Sequence, residues 1–426
     1  MKPESQGAAS LTRRRAIGLG LAGLSGAALG VSLPGIFGTR PDRGGGTEPV
    51  GHATRNEELW TLWQKRGWVK EARHYERVGK TVACRLCPNQ CVLAPGERGR
   101  CRNKINRDGT LYTMAYSNPC TFHVDPVEKK PLYHFLPGTK TFSLATAGCV
   151  FRCLNCQNWE ISQRSVEETK DPRGDELRLR PPLPEYLTSS QLARASLFPE
   201  DVVAVTSALG CPSISYTYTE PIAFYEYTQD CCKLAREHKL RNILVTCGSV
   251  NESAARDLYQ WVDGAHIDLK GFDDEVYRRL NSGRLQPVLN AIKLAREIGV
   301  WVEIVNLIVP TYTDNLETIR KMCGWIVREL GPDVPLHFSR FHPHYKLKHL
   351  PPTPVETLLK AREAARSEGI RYVYIGNVPG LEDAGTTLCP KCKKPVAKRD
   401  IFAVTQLDIV DGKCKYCGEK IPGVWA

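Results

Sequence analysis

A chain of 426 residues can form one core of roughly 200–250 residues with small modules attached, and its composition is ordinarily globular. Net charge is +12, yet the first 80 residues hold 13 Lys+Arg against 7 Asp+Glu, so half of the excess sits there. What remains is spread thinly, with no basic run interleaved with aromatics, and nucleic acid is excluded as the expected partner.

In chain order, Thr12-Arg13-Arg14-Arg15 precedes a mildly apolar Gly/Ala/Leu run from Ala16 to Leu33, resembling a twin-arginine export signal. No convincing A-x-A cleavage site follows, which leaves an uncleaved membrane anchor open, and a disordered basic extension is the plain alternative. Thr39 to Thr54 reads as a linker, so residues 1–55 form one unit, signal or anchor plus linker. A short helical stretch around Glu57 to Tyr75 opens a Cys-rich module over residues 56–140, built of turns and short strands.

From Thr141 short apolar runs alternate with amphipathic ones. Strands are expected at Phe142–Ala147, Ser213–Thr219, Asn242–Thr246, Gly264–Leu269, Trp301–Val309 and Pro335–Phe341, with Tyr372–Ile375 as a seventh. Helices are expected at Ile222–Glu237, Glu252–Trp261, Pro287–Ile298, Leu316–Leu330 and Pro354–Ser367. The pattern predicts an α/β fold over residues 141–380, a partial parallel (β/α)6 TIM-like barrel, with chemistry at the C-terminal strand ends.

Seventeen cysteines fall in close groups in a chain too long to need a disulfide framework, so metal binding is the better reading. Cys149, Cys153 and Cys156 follow the first predicted barrel strand with C-x3-C-x2-C spacing. Three thiolates in eight residues with no evident fourth would leave one iron of a cubane open. The alternatives are a zinc site completed by a histidine, or three buried thiols; the nearest histidines, His123 and His134, lie upstream of the strand.

This spacing resembles the radical SAM family, in which the open iron chelates S-adenosylmethionine (SAM) and an electron from the [4Fe-4S] cluster cleaves it to a 5′-deoxyadenosyl radical. Where the family usually has an aromatic residue before the last cysteine, this chain has Asn155. The flanks from His123 to Gly138 and from Gln157 to Gln163 are similar to the AmmeMemoRadiSam branch. That likeness runs from about Cys84 to the C-terminus and implies Memo-like and AMMECR-like partner proteins.

Asp268-Leu269-Lys270 and Tyr218-Thr219-Glu220-Pro221 resemble glycyl-radical-enzyme activases. The resemblance implies that Asp268 and Lys270, with a later His342, line the substrate site; a solvated ion pair is the plain alternative. Glu220 stands where the family's glycine-rich motif holds the amino group of SAM. Phe151, Thr246 and Gly248 complete the residues expected to bind the cofactor.

Cys389, Cys392, Cys414 and Cys417 form two C-x2-C knuckles, the pattern of a closed four-thiolate zinc ribbon, over residues 381–426. Cys84, Cys87, Cys91 and Cys101 fit zinc or an auxiliary iron–sulfur cluster, with Cys120 as an alternative ligand; the turn-like Arg98-Gly99-Arg100-Cys101 favours zinc. Cys211, Cys231, Cys232, Cys247 and Cys323 are expected to be buried thiols.

The expected function is that of a radical SAM enzyme whose substrate the sequence does not name, a peptide or protein being one candidate class. A glycyl-radical activase and a non-catalytic iron–sulfur electron-transfer or scaffold protein are the competing readings. The family implies an electron donor such as flavodoxin or ferredoxin. SAM chemistry favours the cytoplasm or its membrane face, whereas the N-terminus suggests export.

Overall fold

The computed structural model describes residues 57–425, and the twin-arginine-like segment and linker of residues 1–55 lie outside them. Among the described residues no helix is long and apolar enough to cross a membrane.

An eight-stranded sheet carries the fold. Its strands are β1 (Thr121–Pro126), β2 (Lys140–Ala145), β3 (Ser213–Tyr216), β4 (Arg241–Thr246), β5 (Gly264–Asp268), β6 (Trp301–Ile308), β7 (Leu336–Arg340) and β8 (Val373–Gly376). They lie side by side in chain order, with β1 antiparallel to β2 and every later pair parallel. The parallel strands therefore number seven rather than six, because Val373–Gly376 pairs with β7. Strand β1, read from sequence as part of a turn-rich stretch, adds an antiparallel edge. The connections carry α1 (Pro199–Ala208), α2 (Tyr225–Glu237), α3 (Glu252–Tyr259), α4 (Leu285–Ile298), α5 (Leu316–Leu330) and α6 (Val355–Ser367).

Strand residues alternate between two faces. On one, Phe142, Ile214, Leu244, Ile267, Ile304 and Phe338 are buried in a cluster with Leu258, Ile292, Ile326 and Leu358 of the helices. The register aligns Asp125 with Thr141, His266 with Glu303, Val305 with His337, and His337 with Tyr374, so the opposite face is polar.

The segment after β1 covers the N-terminal end of that polar face. Phe135 lies where a Cβ on Gly264 would come within 2.8 Å of its ring, so only glycine at the start of β5 admits it. Glu303 accepts the backbone N–H groups of Tyr133 (3.0 Å) and His134 (2.7 Å), the His337 imidazole (2.7 Å) and the Trp301 indole (3.1 Å). Burial would raise its carboxyl, but these partners, His337 foremost, hold it at about 2. The C-terminal residues close over this segment: Val424 donates to the His134 carbonyl, and the His134 ring lies 2.7 Å from the Pro422 carbonyl and 2.6 Å from the Tyr374 hydroxyl.

Burial lowers the His134 imidazole to about 4, so the unfolded chain takes up the proton first. Stability from this residue is complete above its ordinary value of about 6.5 and is lost as pH falls toward 4, by up to about 3 kcal/mol. Denaturant midpoints measured across that window should fall more steeply for the wild type than for His134→Gln.

Two small three-stranded sheets precede the main one. One comprises Tyr75–Val78, Thr81–Cys84 and Val92–Leu93; the other comprises Lys70–Glu71, Thr110–Thr113 and Lys104–Arg107. They are pinned to α2 by an ion pair of Lys104 with Glu226, 1% and 0% exposed, whose carboxylate also accepts the Arg73 N–H at 2.9 Å. At the other end, Thr387–Leu388, Pro395–Asp400 and Ala403–Leu407 form a third small sheet beside the last four cysteines.

Candidate functional site

The polypeptide leaves β2 at Ala145 and turns at Gly148, whose φ is +97°. A Cβ there would lie 2.5 Å from the Cys101 carbonyl and 2.6 Å from Asn103 Oδ1, so this turn rests directly on the N-terminal Cys-rich segment. The loop carrying Cys149, Cys153 and Cys156 is then fixed from outside. Arg152 and Leu154 donate their N–H groups to the carbonyls of Asn281 (2.9 Å) and Leu280 (2.8 Å), at a π-helical turn spanning Tyr277–Asn281. Lys346, beyond β7, donates to the Leu154 carbonyl at 3.0 Å.

Each sulfur faces a polar partner. Phe151 N–H donates to Cys149 Sγ (3.4 Å), Asn281 Nδ2 donates to Cys153 Sγ (3.2 Å), and the Ser162 hydroxyl lies 3.0 Å from Cys156 Sγ. Burial pushes the Cys153 thiol up to about 11 even with Lys270 nearby, and raises Cys149 and Cys156. Thiols of this kind give up their protons to a metal rather than to solvent, and donors aimed at sulfur stabilise the resulting thiolates. The residues present thus fit three ligands of an iron–sulfur cluster.

Beside this loop, at the end of β5, Lys270 Nζ lies 2.8 Å from Asp268 Oδ2 and His266 Nε2 lies 3.0 Å from Asp268 Oδ1. Burial opposes the charge on Asp268, yet Lys270 and His266 hold its carboxyl well below the usual range. Lys270 is likewise opposed by burial and held well above its ordinary value by Asp268 and Cys153. The ammonium is within electrostatic reach of Cys153 and Cys156, so the structure brings pair and triad together.

His342 lies just beyond β7, its Nε2 3.5 Å from the Asn377 carbonyl. Strand β7 ends at Arg340, and it is Phe341 that packs against Leu280, Val309 and Leu347 beneath the loop.

Glu220 is 1% exposed, with both oxygens engaged: Oε1 accepts the Thr246 hydroxyl (2.7 Å) and Ile222 N–H (3.1 Å), and Oε2 accepts Cys247 N–H (2.8 Å). Thr246 Oγ1 in turn accepts Gly248 N–H at 3.0 Å. Three of the residues expected to bind cofactor therefore clasp the ends of β3 and β4 together. Phe151 is buried edge-on against Tyr277, 6.3 Å between ring centres.

Several polar residues of the site were not anticipated. Asp125 accepts the ammonium groups of Lys129 (2.8 Å) and Lys130 (2.6 Å) and the Tyr218 hydroxyl. Burial lowers the Lys130 ammonium to about 8. His266 Nδ1 lies 2.9 Å from the Lys130 carbonyl, linking this cluster to Asp268. His266 shares strand parity with Asp268 and Lys270, a legible signal; Asn281 and Ser162 offered none.

In the C-terminal group Cys389 and Cys417 are 3.6 Å apart, Cys392 and Cys414 3.7 Å, and all four sulfurs lie within 4.8 Å of one another. Cys120 is buried, with its Sγ 3.4 Å from the Ala145 carbonyl. Cys211, Cys231, Cys232, Cys247 and Cys323 are buried, as expected.

A sheet that ends in a three-cysteine loop beside a half-buried acid–base pair fits a metal-dependent enzyme. Residues 143–326 match the model of the Radical SAM superfamily. The chain is 43% identical over 356 residues to the uncharacterised protein MJ0808 of Methanocaldococcus jannaschii, covering 83% of this chain and 99% of that protein. It is also 26% identical over 199 residues to the pyruvate formate-lyase-activating enzyme of Staphylococcus aureus, covering 45% and 70%. A solved domain of the pyruvate formate-lyase-activating enzyme from Bacteroides vulgatus aligns at 15% identity and TM-score 0.34, over 38% of this chain and 97% of the domain. The chain belongs to the radical SAM superfamily. It is accordingly an enzyme of SAM-dependent radical chemistry, with a [4Fe-4S] cluster, SAM and a reductant as its partners, and the non-catalytic scaffold reading falls away.

Proposed function

We propose that Cys149, Cys153 and Cys156 hold the catalytic cluster and that the substrate, a peptide or protein segment, approaches along the polar face toward Asp268 and Lys270. The observation that carries this reading is the convergence on one loop of three sulfurs, each with its own polar partner, beside a half-buried Lys270–Asp268 pair. When bound, cluster and SAM supply a 5′-deoxyadenosyl radical able to abstract hydrogen. The protein's own contribution is positional. The Glu220–Thr246 clasp sets the spacing of two strand ends, the Asn281 amide orients Cys153, and the Asp268–Lys270–His266 series fixes charge where a peptide backbone could bind. His342, on the loop after β7, would complete the lining of the substrate site.

The remaining parts fit around that centre. The sheet is read as a partial TIM-like barrel over residues 141–380, between a Cys-rich module (56–140) and a zinc-ribbon-like module (381–426) whose Cys389, Cys392, Cys414 and Cys417 hold structural zinc. Flavodoxin or ferredoxin would supply electrons. The AmmeMemoRadiSam likeness points to Memo-like and AMMECR-like proteins as associates, and residues 1–55 would hold the enzyme at a membrane or direct its export. A glycyl-radical activase is the second reading, favoured by the Asp268/Lys270 pair together with the 26% identity to the staphylococcal enzyme.

The direct test is anaerobic reconstitution followed by SAM and dithionite; absence of 5′-deoxyadenosine would sink the proposal. For the activase reading, a glycyl radical signal should arise in a candidate partner enzyme. A positive charge beside a cluster favours its reduced, more negative state. Lys270→Gln should therefore retain iron but shift the midpoint potential of the cluster downward, on the order of 50–100 mV. An EPR-monitored redox titration measures this.

A further inference from the structure

Cys84, Cys87, Cys91 and Cys101 remain to be explained. The four lie within electrostatic reach of one another, and two sulfurs accept N–H groups: Cys91 from Arg100 (3.3 Å) and Cys87 from the Asn89 amide (3.6 Å). Yet among the described residues the only three or more metal-ligating atoms within 4.8 Å of one another are those of the C-terminal cysteines. A tetrahedral zinc with bonds of about 2.3 Å draws its sulfurs to about 3.8 Å of each other, the spacing seen at the C-terminus. The N-terminal four are set wider, as are Cys149, Cys153 and Cys156, and a wider frame suits a multi-iron core.

The surroundings agree. Arg98 is ion-paired with Glu167, whereas Arg102 and Arg152 lie within electrostatic reach of both Cys101 and Cys149. Arg102 Nη1 and Arg152 Nη1 are buried without a hydrogen-bond partner. Two guanidiniums so placed favour anionic company, and four thiolates around an iron–sulfur core would provide it. The two cysteine groups are also in direct structural contact. Asn89 Nδ2, besides facing Cys87 Sγ, donates to the Val150 carbonyl at 2.9 Å, one residue beyond Cys149. The Cys101 carbonyl packs on Gly148, one residue before it.

We propose that Cys84, Cys87, Cys91 and Cys101 hold a second iron–sulfur cluster, ligated by four thiolates, which passes single electrons to the cluster on the Cys149 loop. A low-potential one-electron protein donor of the flavodoxin or ferredoxin class reduces the outer cluster. That cluster then reduces the inner one by one electron and returns to its oxidised form, with no bond made or broken. The spacing that sets these sulfurs apart from the C-terminal four replaces the zinc that the Arg98–Cys101 turn favoured. The relay rests on the triad holding the catalytic cluster; the existence of a second cluster does not.

The test uses the full chain, reconstituted anaerobically with iron and sulfide, and counts iron, acid-labile sulfide and zinc. Wild type should carry more than about four irons. The variant C149A/C153A/C156A should keep iron and sulfide in equal number, and C87S/C91S should lose that same increment while keeping the iron of the triad. An iron-free triad variant, or a second zinc in the wild type in place of the extra iron, overturns the cluster. In C87S/C91S the ratio of flavodoxin-supported to dithionite-supported SAM cleavage should fall; an unchanged ratio overturns the relay.

Discussion

Cys156→Ala, purified and reconstituted anaerobically, should lose SAM cleavage by well over about 100-fold, the upper range for removing a mere outer-shell partner of a metal. Cys156 offers the third sulfur of the loop, and the Ser162 hydroxyl lies 3.0 Å from it. A neutral hydroxyl is a poor substitute for a thiolate toward iron. The neighbouring ties from Arg152 and Leu154 to the Tyr277–Asn281 turn do not involve the Cys156 side chain, so the fold should survive. 5′-Deoxyadenosine formation, iron content and circular dichroism measured together separate loss of the cluster from loss of structure. Wild-type nucleoside production by this variant would remove the triad from the chemistry.

Lys104→Met should lower stability by about 3–5 kcal/mol, because it strands the Glu226 carboxylate without its ion-pair partner in a fully buried site. Replacing both partners, as Lys104→Met with Glu226→Leu, should recover most of that loss, leaving chiefly the Arg73 N–H without its acceptor. Denaturant unfolding of the two single variants and the double variant gives the coupling directly. Additive losses would show that the pair does not act as a unit. The pair joins the strand just after Cys101 to helix α2, so its loss should also loosen the contact between Cys101 and Gly148.

The frame of the molecule was legible wherever burial imposed a period. Helix α5 was expected at its observed bounds, and every parallel strand was found within about three residues of its ends, because apolar residues there alternate or recur under one packing constraint. Strand β1 escaped because an edge strand is buried on one side at most: Val124 is 41% exposed, and the inward Asp125 reads as a loop residue until Lys130 and Tyr218 are seen around it. Helix α1 carried its signals, Pro199 followed by Glu200 and Asp201, which were overlooked.

Of the site, the cysteine spacing and the Asp268–Lys270 pair were readable because their partners are near in sequence. Asn281 on Cys153 was not, since 128 residues separate them. The mutual contact of Glu220 and Thr246 was likewise hidden, because it joins residues 26 apart in sequence on neighbouring strand ends.

The cover of the polar face by Phe135, His134 and the C-terminal Val424 also keeps water from that end of the sheet, where Phe135, His134 and Glu303 are all fully buried. The Tyr133 and His134 amides, both held by Glu303, should therefore be among the slowest in the protein to exchange their hydrogens.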